Sequence, residues 1–206
     1  MSAEETYDWL AASSARGSYD AFDIHVVASA LAMAIDESRN SETLLTEGLG
    51  LERPALARLI AEMFPAALHT LEHKGLCNGL IVDQEEQSVR EILEIYATGA
   101  SGLERLLAAI IARRCKWPHH LWQDLGLRNR GELSELMKRH FAPLSEKNLH
   151  NMKWKKFLYR MVCGSEGFRL CTSPVCSECD DFADCFGAEE GDARLAYTPG
   201  PGAKAA

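Results

Sequence analysis

The sequence predicts an all-α fold: a single helical, bundle-like domain with a C-terminal cysteine-rich metal-binding loop and a disordered tail. Three observations predict it. Apolar residues recur at spacings of three and four along most of the chain, which gathers them on one face of a helix. Capping residues stand just ahead of several of these runs. No stretch shows sustained apolar–polar alternation with β-branched enrichment, the mark of a strand.

Taken in order, Ile24, Val27, Ala28, Leu31 and Ile35 define a helix through residues 23–38. Leu56, Leu59, Ile60 and Met63 define the next, and Pro54 ahead of them suits a first helical turn. Asp83-Gln-Glu-Glu86 starts a helix carrying Val89, Ile92, Leu93 and Tyr96. Ser101-Gly-Leu-Glu104 matches a capping box, with Leu103, Leu106, Leu107, Ile110 and Ile111 following on one face. Two further helices are expected over 131–141 and 145–163, the second stopped by Gly164. The pattern then breaks. A cysteine loop punctuated by Pro174 and Gly187 leads to a stretch with the composition of a disordered tail, ending Pro-Gly-Pro-Gly-Ala-Lys-Ala-Ala. The division is therefore a helical body over 1–165, a cluster-binding loop over 166–187 and a tail over 188–206, with no internal repeat.

A chain of 206 residues suits one domain with a real core. Its start, Met1-Ser-Ala-Glu-Glu-Thr-Tyr7, lacks the basic and apolar stretches of a signal peptide, and the apolar runs around 26–35 and 103–111 are too short to cross a bilayer. A cytoplasmic protein with no membrane partner is expected, in a reducing compartment where clustered thiols serve metals more often than disulfides. The net charge of −8 argues against non-specific nucleic-acid binding. Charge is unevenly placed, however: residues 128–160 hold nine basic side chains against three acidic, and residues 171–192 hold seven acidic and no basic ones. The plain reading is a solvated helix face beside an acidic loop. The sharper one is a basic face that attracts an anion or a partner while the acidic loop displays a metal.

Four cysteines, Cys171, Cys176, Cys179 and Cys185, form a C-x4-C-x2-C-x5-C array. Thiolates are soft donors, and four on one short loop can wrap a metal centre unaided. An iron–sulfur cluster fits best, since such clusters are commonly held by several cysteines of one compact loop, and the first two spacings match the plant-type ferredoxin run, whose fourth cysteine lies farther away. A structural zinc site comes second, because zinc usually pairs two short knuckles and only Cys176 and Cys179 make one here. Disulfides come third: the total of seven cysteines is odd. Asp180 follows Cys179, so attached c-type haem is excluded.

The array and the segments before it carry a resemblance. The stretch ending Asp180-Asp-Phe-Ala-Asp-Cys185-Phe-Gly187, with Asn151-Met-Lys-Trp-Lys-Lys-Phe157 and His120-Leu-Trp-Gln-Asp-Leu-Gly126 ahead of it, resembles the NifQ family of nitrogen fixation from about residue 115 to 187. One segment departs: Lys116-Trp-Pro-His-His120 stands where the family has something closer to Arg-Pro-Asn-His, so His120 carries over and His119 does not. The resemblance implies a carrier that delivers molybdenum, on a molybdenum–iron–sulfur cluster, to assembly of the nitrogenase iron–molybdenum cofactor. Implied partners are the nitrogenase iron protein, the cofactor-assembly scaffold and a source of molybdenum such as molybdate.

The ligand set expected on these grounds is Cys171, Cys176, Cys179 and Cys185. Cys163, at the end of the last expected helix, is either a fifth ligand or a buried unpaired thiol, and Cys77 and Cys115 are structural. His120 is either a satisfied structural histidine, or a molybdenum ligand or a hydrogen-bond donor to one, with Asp124 four residues on to orient it if the segment is helical. His140 and His150 are weaker candidates on exposed helix faces, and Trp154 belongs to the core. Lys153, Lys155 and Lys156 either draw molybdate inward or form a solvated face. Three function classes stay open: a metal donor, an iron–sulfur electron-transfer protein, and a zinc-stabilised interaction module. Hydrolytic catalysis has no support, since Gly-x-Ser-x-Gly, a phosphate-binding glycine loop and His-Glu-x-x-His are all missing.

Overall fold

The computed structural model describes residues 1–15, 17, 19–41, 43–71, 79–99, 101–165 and 182–195. Among these, regular structure is entirely helical. The helices are α1 (Ala3–Ala12), α2 (Ala21–Asn40), α3 (Leu45–Leu49), α4 (Arg53–Met63), α5 (Leu68–Leu71), α6 (Gln84–Ile95) and α7 (Gly102–Cys115). They continue with α8 (Leu121–Asp124), α9 (Arg130–His140), α10 (Ala142–Lys147), α11 (Trp154–Ser165) and α12 (Phe182–Phe186), and one 3-10 turn precedes α5.

Side-chain caps set the starts. Asp83 accepts from the Glu86 N–H at 2.9 Å, and Asn129 from the Glu132 N–H at 3.1 Å. At Ser101 both bonds of the capping box form: Glu104 N–H donates to the Ser101 hydroxyl, and Glu104 accepts from the Ser101 N–H. Pro54 occupies the first turn of α4, as its missing N–H allows.

The core is organised around α2. Every residue from His25 to Ile35 is buried, so this stretch is enclosed on all sides. Helix α1 packs along it, and α3 bridges it to α7. Helix α7 pairs with α6, α6 meets α11, and α7 leads through α8 to α9. Leu31, Leu49, Leu56, Leu93, Ile111, Leu136 and Leu158 come from seven different helices and join one continuous apolar core.

Two expectations are corrected. The helix expected over 145–163 is two helices, α10 and α11, separated by 148–153. Asn148 causes the break: its side chain accepts from the Met152 N–H at 2.8 Å and donates to the Met152 carbonyl at 2.9 Å. These bonds replace the helical ladder, and Asn151 sits at φ 52°, a left-handed conformation that asparagine tolerates. The second correction concerns 188–195, expected within the disordered tail. Leu195 is buried in the core, and Gln123 Nε2 donates to the Asp192 carbonyl at 2.9 Å. Gly126 makes room for this packing. It has φ 72°, and a Cβ there would lie 2.6 Å from Met33 Cγ and 2.7 Å from Leu195 Cδ1. The remainder of the expected tail, 196–206, lies outside the described residues.

Candidate metal centre

Of the four cysteines in the array, Cys185 lies within the described residues; Cys171, Cys176 and Cys179 lie outside them, as does Cys77. Cys185 stands half-buried on α12, and the start of α11 staples that short helix to the body. The Lys153 N–H donates to the Cys185 carbonyl at 2.8 Å, and Lys153 Nζ donates to the Ala183 carbonyl at 3.2 Å. Backbone anchoring of this kind fixes where the side chain of Cys185 is presented. Cys163 is half-buried on α11. Among the described residues, no three His, Cys, Asp or Glu side chains gather as a metal site.

His120 sits at the N-cap of α8, its backbone extended at φ −65° and ψ 147°. Its Nδ1 lies 3.8 Å from Glu189 Oε1, four residues beyond Cys185. The other oxygen of Glu189 lies 3.8 Å from Arg130 Nε, and neither of these two atoms has a hydrogen-bond partner. Arg130 is held from its other end: Nη2 donates to the Asn151 carbonyl at 2.7 Å, to Asn151 Oδ1 and to the Met152 carbonyl at 3.0 Å.

Asp124 does not orient His120, contrary to expectation. An extended N-cap residue does not share a helix face with the residue four on, and the bond between the two is the backbone one, Asp124 N–H to His120 carbonyl. His119 takes that place, with Nδ1 at 3.0 Å from Asp124 Oδ1. Asp124 is fully buried and also meets two basic side chains: Lys155 Nζ at 2.5 Å and Arg194 Nη1 at 3.3 Å. Lys155 also donates to the carbonyls of Trp117 and His119, so this lysine is a structural tie and not part of a solvated anion-drawing face. Next to this node, Arg114 has no exposed surface and meets Glu37 at 2.7 and 2.9 Å. Burial lowers the pKa of Arg114, and Glu37 works against that shift. Burial pushes the Cys115 thiol up to about 12, so it stays protonated and inert at neutral pH.

The other sequence candidates divide. Trp154 is in the core as expected, edge-on to Phe157 and donating to the Ser134 hydroxyl at 3.3 Å. His140 is not on an exposed face: it pairs with Asp23 at 2.9 Å with 12% of its side chain exposed. His150 is exposed, but in the break between α10 and α11. Sequence reasoning missed the convergence of His120, Arg130 and Glu189. Arg130 reads only as one member of a basic run and Glu189 as one member of an acidic loop; no local spacing connects them.

These features define a class: an all-helical protein whose four-cysteine segment ends on a short helix pinned to the body, beside a partly buried His–Glu–Arg cluster. The NifQ family model matches residues 26–187, and the chain belongs to the NifQ family. It is 38% identical over 172 residues to a NifQ homolog of Sinorhizobium fredii, covering 83% of this chain and 74% of that one. It is 36% identical over 168 residues to NifQ of Azotobacter vinelandii, covering 75% and 85%. It is 47% identical over 103 residues to NifQ of Rhodobacter capsulatus, covering 49% and 57%. No solved structure matches the chain. Among the described residues no helix is long and apolar enough to cross a membrane.

Proposed function

We propose that this chain is an iron–sulfur molybdenum carrier that supplies molybdenum for assembly of the nitrogenase iron–molybdenum cofactor. Membership of the NifQ family implies a role in nitrogen fixation and in biosynthesis of that cofactor, as an accessory protein and not a known enzyme. The observation that carries the finer reading is the C-x4-C-x2-C-x5-C array inside the matched region. Three thiolates can supply one ligand to each iron of a cubane holding one molybdenum and three irons. The molybdenum corner then takes an exchangeable donor: the fourth thiolate, imidazole, carboxylate or water. Cys185, on a short helix at the body's surface with its backbone anchored, suits a cargo that must be handed on. The nitrogenase iron protein and the assembly scaffold are the proposed partners, and molybdate or another molybdenum source the supplier.

The test is anaerobic purification from molybdate-fed cells, with iron, molybdenum, zinc and acid-labile sulfide measured on one sample. Iron, sulfide and molybdenum together are expected. Iron and sulfide without molybdenum would overturn the carrier in favour of an electron-transfer protein. Zinc alone, persisting after iron–sulfur reconstitution, would make the loop a structural staple. Alanine at Cys171, Cys176, Cys179 or Cys185 is expected to remove the cluster and leave the circular dichroism of the body intact; collapse of the helical signal in each variant would indicate a structural metal.

A further inference from the structure

Glu189 is a carboxylate whose side chain is only 3% exposed, yet its Oε2 accepts no hydrogen bond. A buried ionised oxygen without a hydrogen bond has lost its water and gained little in exchange. The group facing it is similarly placed. Arg130 Nε is buried and donates to nothing, while the Nη2 side of the guanidinium is locked to Asn151 and Met152. His120 Nδ1 faces the second carboxylate oxygen at 3.8 Å. Glu189 thus sits between a guanidinium edge and an imidazole, 3.8 Å from each, without hydrogen-bond contact to the guanidinium Nε. An ordinary structural ion pair closes to under 3 Å when both partners can move, as Lys155 and Asp124 do nearby.

We propose that Arg130 and His120 form an oxyanion site for a tetrahedral dianion, and that Glu189 is its internal, displaceable occupant. A planar guanidinium edge with an imidazole beside it presents fixed donors to oxyanion oxygens. An incoming dianion would replace one negative group with another, so the buried guanidinium is never left without a negative partner. The site adjoins the cysteine segment through three consecutive residues. Asn151 and Met152 hold Arg130, and Lys153 holds the Cys185 backbone. Glu189 stands two residues beyond Gly187, so its displacement couples anion arrival to the segment that ends the cysteine array. The guanidinium argues against a divalent cation at this position. The choice of molybdate as the natural oxyanion rests on the carrier reading above; the site itself does not.

Calorimetric titration of the full, metal-free chain with sodium molybdate tests this, with sulfate as competitor and circular dichroism to confirm folding. Wild-type protein is expected to bind one oxyanion. Glu189→Gln, by removing the internal competitor, is expected to bind about tenfold tighter, and Arg130→Gln about tenfold weaker or not at all. A merely structural pair would move both variants the same way. Glu190→Gln removes an identical charge from the exposed neighbouring residue and is expected to leave affinity unchanged. Should Glu190→Gln tighten binding as much as Glu189→Gln, the effect is general electrostatics and the site is overturned. Weaker or equal binding by Glu189→Gln, or no heat from both it and the wild type, also overturns it. If Arg130→Gln does not fold, Arg130→Lys carries the same test, since it keeps the charge and loses the planar edge; unchanged affinity there would refute the guanidinium's part. Molybdenum in the purified cluster without free oxyanion binding would sink the site and leave the carrier reading. Glu189-gated oxyanion binding in a chain whose cluster lacks molybdenum would do the reverse.

Discussion

Arg114 has no contact with water, and Glu37, itself 14% exposed, is the carboxylate within hydrogen-bond reach of it. Burying a guanidinium is tolerable only while that partner stays ionised, because the desolvation penalty otherwise stands alone. Two of its nitrogens, Nε and Nη2, already lack hydrogen-bond partners, so there is no spare donor–acceptor capacity to absorb a loss. Glu37→Gln is therefore expected to lower stability by about 3 kcal/mol in urea unfolding. The double variant Glu37→Leu with Arg114→Met is expected to recover most of that, since neither residue then leaves a charge behind. A double variant as unstable as the single would mean that the pair holds the fold through geometry and not through charge. Cys115 makes a simpler residue-scale prediction. With its thiol pushed up to about 12 by burial, it should resist alkylation in the native state at neutral pH while half-buried Cys185 in the cluster-free protein reacts. Mass spectrometry after timed alkylation reads this directly; labelling of Cys115 as fast as Cys185 would contradict it.

Three helices meet at one histidine. Tyr7 on α1 lies 2.8 Å from His25 Nδ1, and Glu132 on α9 lies 3.0 Å from His25 Nε2, with His25 buried on α2. Burial opposes ionisation of Glu132. The hydrogen bonds from His25 and the Arg128 N–H outweigh it and hold the carboxyl below its ordinary range. A carboxyl with a depressed folded-state pKa stabilises the fold at pH values above its unfolded pKa. That contribution disappears as the pH falls through the folded value. Glu132→Gln should therefore be less stable than wild type near neutrality, with the difference shrinking as acid protonates the wild-type group. A constant difference across the acid limb would show that the tie between helices does not depend on the charge. None of this arrangement is legible in the sequence, though two of the three helices that carry it, α2 and α9, are. Caps and apolar spacing are local, so Asp83 and Ser101 announce their helices by themselves. The break at 148–153 is hidden because Met152 and Trp154 sit among residues that continue the helical spacing, while Asn148 acts through side-chain bonds and Asn151 through a left-handed backbone. The cysteine array is visible in the sequence for the same reason as the caps: its members are neighbours in the chain. The convergence of His120, Arg130 and Glu189 is long-range, and only the folded chain brings it about.

The molecule is closed by its own C-terminal segment. After α12, the chain crosses α8 and returns to the core: Glu189 faces His120 and Arg130, Asp192 is bonded by Gln123, Arg194 meets Glu37 and Asp124, and Leu195 packs at Gly126. The same segment begins where the cysteine array ends, so fixing it at Leu195 also fixes the Cys185 helix from its far side. Leu195→Ala removes a fully buried side chain and is expected to cost about 3 kcal/mol. On the proposal that the array holds an iron–sulfur cluster, a loosened segment should also release its iron to a chelator faster than wild type. Ser101→Ala, at the cap of α7, supplies the comparison: it is expected to cost about 1 kcal/mol and leave the chelation rate unchanged, because it weakens the body without touching the segment. Chelation rates are best measured well below the unfolding transition, where global unfolding is too rare to contribute. Faster iron loss in Leu195→Ala alone would show that closure of the body and retention of the cluster are one structural event. Equal rates in both variants would separate them, and confine the role of residues 188–195 to the stability of the helical body.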